Sequence, residues 1–184
     1  LQVDIIVFAI KPQVLTQTLP DYKKLVNGDR IFLSIAAGKP LKFYEDFFGK
    51  KASIVRAMPN TPAAIRQGVT VLVGNKGVNS AQRASSEALM GAVGRVAWLD
   101  NEELMNAVTA ISGSGPAYVF LMIEALSKAG VEMGLSLDLA EELALTTVAG
   151  SGALAASSDM SPAELRRLVT SPGGTTEAAL GVLM

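Results

Sequence analysis

Apolar residues follow two patterns along this chain, and the change falls near residue 100. Before it, short β-branched and aromatic runs alternate with polar stretches: residues 1–10, 30–38 and 52–58, then briefer runs at 69–73 and 95–99. Unbroken apolar runs of this length read as strands buried on both faces, the kind that parallel sheets hold. Residues 12–19, 41–48 and 80–93 read as helices between them, with Gly49 closing the second. Strands alternating with helices predict an open α/β sheet that binds ligands beyond its strand carboxyl ends. Residues 9–12, 35–38 and 58–61 then face one crevice.

From Asn101 the strands stop. Residues 101–111 read as a helix that Ser112-Gly113-Ser114-Gly115 breaks, and Pro116 reopens one where a missing amide costs nothing. Ala117-Tyr118-Val119-Phe120-Leu121-Met122-Ile123 is apolar all round, so this helix is expected to be buried on nearly every side before Gly130 or Gly134 ends it. Ser136 begins another helix, whose Thr146, Thr147, Gly150, Ser151 and Gly152 allow close helix approach. Ser161-Pro162-Ala163-Glu164 has the form of a capping box and predicts a helix over 162–169. A helical region this small cannot wrap its own core, which predicts a homodimer built on residues 101–184. Residues 1–100 form the other domain.

Near the end, Val169-Thr170-Ser171-Pro172-Gly173-Gly174-Thr175-Thr176 delivers the backbone to a new helix at Glu177-Ala178-Ala179-Leu180. Side-chain-free glycines and the unpaired amides of a helix start favour an anion there, and Ser171, Thr175 and Thr176 add hydroxyls. The same residues also read as a plain polar turn with a threonine cap.

The chain has 184 residues, 49% of them hydrophobic, and a formal net charge of −1, so a folded, soluble protein is expected without a basic footprint for nucleic acid. Residues 117–123 stop at Glu124, short of the roughly 20 that span a membrane, so no such segment is expected. Histidine and cysteine are both absent. That removes Ser-His-Asp and Cys-His mechanisms, disulfides and the usual zinc sites. Hydride transfer from a borrowed cofactor suits the carboxylates, lysines, hydroxyls and amides that remain.

Three segments, Val108 to Tyr118 around Ser112-Gly113-Ser114-Gly115-Pro116, Arg56-Ala57-Met58-Pro59-Asn60-Thr61-Pro62-Ala63, and Thr170 to Thr176, together resemble pyrroline-5-carboxylate reductases over nearly the whole chain. The resemblance implies a Rossmann-type sheet domain followed by an all-helical dimerisation domain, with dimers often joining into larger rings. It assigns Ala9, Ile10, Lys11 and Pro12 to a first cofactor loop and Ile35, Ala36 and Ala37 to a second. Asn60, Glu102 and Leu168 fall near cofactor or substrate. Asp159, Ser171, Gly174, Thr175 and Thr176 carry over as the substrate pocket. The implied reaction is reduction of 1-pyrroline-5-carboxylate to L-proline in the cytoplasm with NADPH, NADH being the alternative, and no metal, nucleic acid or membrane.

By the same resemblance, Thr176 orients the imine nitrogen, and Lys11 serves cofactor phosphate or solvent rather than catalysis. Glu102, Glu103 and Glu164 also read as helix-start charges, and Trp98, Tyr118 and Met58 as packing residues. The family's Gly-x-Gly-x-x-Gly turn has no counterpart here, so the chain reads as beginning in mid-sheet, a fragment or a sequence whose start lies upstream. Two other readings stay open. One is a hydroxy-acid dehydrogenase of similar build, although residues 101–111 lack the lysine those enzymes carry. The other is a non-catalytic dimeric helical protein that keeps an anion pocket.

Overall fold

The computed structural model of the protein describes residues 3–184, so Leu1 and Gln2, which head the first expected strand, lie outside the described residues. Two compact units divide the chain after Tyr118. In the first, β1 (Ile5–Phe8), β2 (Ile31–Ser34), β3 (Ser53–Met58), β4 (Gly68–Gly74) and β5 (Gly94–Leu99) form one sheet in sequence order. Helices α1 (Leu15–Tyr22), α2 (Leu41–Phe48) and α3 (Ser80–Gly91) supply the crossovers from β1 to β2, β2 to β3 and β4 to β5. Each of those strand pairs is parallel. The β3–β4 pair is antiparallel, so the sheet is mixed where an all-parallel one was expected. Length explains the reversal: the segment from Pro59 to Gln67, partly wound into a 3₁₀ turn at Thr61–Ile65, is too short for a helical crossover.

Strand β2 is buried at all four positions, which places successive side chains in two different cores. Phe32 joins Phe8, Leu15, Leu19, Tyr44 and Phe48. The rings of Phe32 and Phe48 stack with centroids 4.4 Å apart. Ile31 and Leu33 join Val55, Leu72 and Met90 in the other core. Met58 packs at the margin of the first core and Trp98 at that of the second.

After β5 the backbone coils through a 3₁₀ turn at Glu102–Leu104, α4 (Met105–Val108) and a π turn at Thr109–Gly113 into α5 (Gly115–Glu132). Met105 is fully buried in the Phe32 core, so the first compact unit runs past the change in composition at residue 100. The expected break at Ser112–Gly115 is a widening instead: the Ser114 amide donates to the Thr109 carbonyl at 2.8 Å, five residues back. A Cβ at Gly113 would meet the Met58 methyl, the movable end of a flexible side chain. From Glu102 to Glu132 the helical run has 31 residues and contains an 18-residue stretch of mean hydropathy 1.2, long and apolar enough by length and composition alone to cross a membrane. The expectation from residues 117–123 counted a shorter helix because it placed a break at Ser112–Gly115, through which the helical run continues.

The second unit contains the remainder of α5 with α6 (Leu137–Ser157), α7 (Pro162–Leu168) and α8 (Thr175–Leu183). Ser136 caps α6 by accepting from the Leu139 amide. In α5 and α6 the buried residues are Ser127, Gly130, Ala140 and Ala144, all small. The all-apolar helix expected to be buried is exposed in the single chain, with Phe120 at 60% and Leu121 at 62%. Tyr118, just before the unit begins, is exposed as well. Small residues bring two helices close at the crossing, and the large side chains are left to point outwards.

Gly94 opens β5 at φ +148°, and a Cβ there would run into the backbone of Gly68. Gly94→Ala is expected to destabilise the protein by about 3 kcal/mol or more, read from the urea midpoint of sheet unfolding.

Candidate functional site

Strands β1, β2 and β3 are parallel and in register at Phe8, Ser34 and Arg56, so their carboxyl ends share one sheet edge. Ala9, Ile10, Lys11 and Pro12 leave β1 at that edge, Ile35, Ala36 and Ala37 leave β2, and Asn60 follows β3. The Ile35 amide donates to the Phe8 carbonyl at 3.2 Å and ties the first two loops together. Ala9, Ile10, Lys11 and Ala37 are exposed, whereas the Ala36 side chain is buried. The Asn60 side-chain oxygen accepts from the Val69 amide at 2.9 Å, which fixes the carboxamide and leaves its nitrogen without a partner among the described residues. Small side chains, accessible backbone and one lysine at the ends of parallel strands fit part of a dinucleotide.

Glu102 is differently employed. Its Oε1 accepts from the Leu41 amide, the first of α2, at 2.8 Å and from Arg56 Nη1 at 2.8 Å. Arg56 is buried in β3. Beside it the Tyr44 hydroxyl and Ser34 Oγ are 2.6 Å apart. Burial pushes the Tyr44 phenol up, against the opposing effects of the Ser34 hydrogen bond and the Arg56 charge. Sequence reasoning quoted Arg56 only as part of a motif. The available signal was a single cation inside the apolar strand Ile54-Val55-Arg56-Ala57, which demands a partner.

In the second unit, Ser171, Gly174, Thr175 and Thr176 come together in one turn. Gly173 adopts φ +71°, and the Gly174 amide donates to the Ser171 carbonyl at 3.0 Å. Gly174 is the N-cap of α8 and has no side chain to cap with, so the amides of Thr175, Thr176 and Glu177 have no acceptor inside the helix. Thr175 and Thr176 are exposed, and among the described residues the hydroxyls of Ser171, Thr175 and Thr176 have no hydrogen-bond partner. The Glu177 carboxylate, which sequence reasoning did not single out, accepts from the Gly173 amide at 2.7 Å and holds the turn from behind. Asp159 lies exposed in the connection between α6 and α7, and Leu168 lies exposed at the end of α7. No side-chain hydrogen bond joins Asp159 to the turn among the described residues.

The start of α7 shows what α8 lacks. Ser161 Oγ accepts from the Glu164 amide at 3.3 Å, and the Glu164 carboxylate accepts from the Ser161 amide at 2.7 Å, the complete reciprocal box that the sequence predicts. One helix start is closed by its own side chains, and the other is left open.

Residues 102–184 match the family described as pyrroline-5-carboxylate reductase dimerisation. The chain is 45% identical over 177 residues to a pyrroline-5-carboxylate reductase of Pseudomonas aeruginosa, covering 96% of this chain and 65% of that protein, just under two thirds of its length. The solved structure of a pyrroline-5-carboxylate reductase from Coxiella burnetii superposes with a TM-score of 0.93 at 40% identity, over 100% of this chain and 68% of the other. That of a Plasmodium falciparum pyrroline carboxylate reductase with NADP bound gives 0.88 at 37% identity, over 98% and 68%.

The Ser161 side chain, then the Ser161 amide, hold the Glu164 carboxyl below the ordinary glutamate range. A lowered folded-state value means that the cap supports α7 fully above the ordinary range and is lost as pH falls through the lowered value. Carbon-detected NMR titration of Glu164 is expected to give a midpoint below that of an unstructured glutamate, and Ser161→Ala to raise it toward the ordinary range, the backbone amide at 161 keeping the remainder of the shift.

Proposed function

The chain belongs to the pyrroline-5-carboxylate reductase family, and from that we propose that the protein reduces the C=N bond of 1-pyrroline-5-carboxylate to L-proline, the last step of proline biosynthesis. NADPH is the favoured cofactor, with NADH as the alternative; the relative solved with NADP bound supports the choice. When bound, the cofactor supplies hydride to the ring carbon, and the ring nitrogen gains a proton.

The observation that carries this reading is the open start of α8. A five-membered ring bearing a carboxylate needs fixed donors, and the uncapped amides with the hydroxyls of Ser171, Thr175 and Thr176 answer that need. Gly174 lets the ligand approach, and Asp159 borders the pocket. Thr176 orients the imine nitrogen so that the neighbouring carbon stands roughly 3–3.5 Å from the nicotinamide. Its hydroxyl is too weak an acid to act alone, so it positions the protonated imine or relays a solvent proton.

Ala9 to Pro12 and Ile35 to Ala37 receive the cofactor along the sheet edge, with Asn60 toward the nicotinamide end and Leu168 beside the ligand. Glu102 stands behind this group, accepting from Arg56 and the Leu41 amide. Residues 1–100 act as the dinucleotide-binding domain and residues 101–184 as the dimerisation and substrate domain. The exposed apolar faces of α5 and α6 support a homodimer, with larger rings built from it, and a cytoplasmic address suits the small polar metabolite.

Thr176→Ala in the intact protein is expected to lower kcat/KM for racemic pyrroline-5-carboxylate by about tenfold to a hundredfold, the worth of a hydrogen bond to a charged group, with NADPH affinity nearly unchanged. Unaltered turnover would remove Thr176 from the reaction. Sedimentation equilibrium at micromolar concentration is expected to show a dimer or a multiple of it, and a stable monomer would contradict the assembly.

A further inference from the structure

A guanidinium inside an apolar strand must find a counter-charge, and Arg56 finds its partner 46 residues away, where Glu102 begins the turn after β5. The same carboxylate oxygen takes the Leu41 amide, 61 residues away in the other direction. Leu41 opens α2, whose N-cap is Pro40 and makes no side-chain cap, so Glu102 supplies from a distance the negative charge that a helix start favours. One oxygen atom therefore joins three segments. Arg56 and Glu102 line a cavity of about 270 Å³ together with Gly38 and Pro40 at the exit of the second loop. Gly38, at φ +72°, directly follows Ile35, Ala36 and Ala37. On the other arm, Arg56 lies in the strand that leads to Asn60.

We propose that Glu102 is a positioning residue: it serves cofactor binding through Arg56 and the start of α2, setting the spacing between the loop at Ile35–Gly38 and the loop at Asn60. One of its carboxylate oxygens takes both donors at 2.8 Å. This rests on the assignment of residues 35–37 and Asn60 to the cofactor.

Kinetics of the intact protein with NADPH and pyrroline-5-carboxylate, combined with hydrogen exchange of the cofactor-free protein, test it. Glu102→Ala is expected to raise KM for NADPH about tenfold, as loss of a charge-assisted hydrogen bond does, with kcat and KM for pyrroline-5-carboxylate within about twofold of wild type. Exchange at the Leu41 amide should quicken. Arg56→Met should raise the same KM, and the double variant should add nothing, because both act through one junction. Glu102→Gln, which keeps an acceptor for Leu41 and drops the charge facing Arg56, should keep Leu41 protected and still raise KM; it also decides the matter if Glu102→Ala does not fold. An unchanged KM for NADPH in an active Glu102→Gln protein, or fully additive losses in the double variant, would overturn the inference alone. A wild-type protein that neither binds NADPH nor reduces the substrate would overturn the reductase assignment instead.

Discussion

The helical part of this chain cannot keep its own large apolar side chains out of water. Helices α5 and α6 approach each other through Ser127, Gly130, Ala140 and Ala144, and residues of that size bury little apolar surface. Phe120, Leu121, Leu145 and Leu154 remain exposed. At about 25 cal/mol per Å² of apolar surface, faces of this extent carry a large unclaimed driving force for association. The family described as a dimerisation region begins at residue 102, where the helical run begins. A long apolar helix with no core of its own and a proposed second copy to cover it are two sides of one constraint.

The middle of the sheet is the opposite case, since β2, β3 and most of β4 are buried on both faces within the chain. That difference explains why its elements were legible residue by residue. Helix α2 covers the predicted residues, and β3 starts one residue late, because an apolar run and a closing glycine carry local information. Strand direction is not local. The apolar run at 69–73 reads alike in either orientation, and only the short link from Pro59 to Gln67 decides that β4 turns back against β3. The π turn was hidden as well: Ser112 and Gly113 read as a break, and only the Ser114 amide bonding five residues back to Thr109 shows the helix widening through them.

The candidate site divides along the same line. Loops at strand ends and the Pro-Gly-Gly turn were legible because proline and glycine mark where backbone becomes available. The employment of Glu102 was not, since its two donors lie 61 and 46 residues away and no periodicity connects them. Arg56 did leave a trace, as the one charge in an otherwise apolar strand. Glu177 left less, because a glutamate in a first helical turn is ordinary until its carboxylate is seen holding Gly173.

Helices α7 and α8 both carry a glutamate at the third position, and they differ in what precedes it: Ser161 in one, Gly174 in the other. A Cβ at 174 would stand 3.1 Å from the Ser171 carbonyl oxygen, so any larger residue would crowd the bend. A hydroxyl there would also satisfy the amides that the bare glycine leaves open. A sturdier helix end and an open anion cradle therefore make opposite demands on position 174. The glycine there trades the first for the second.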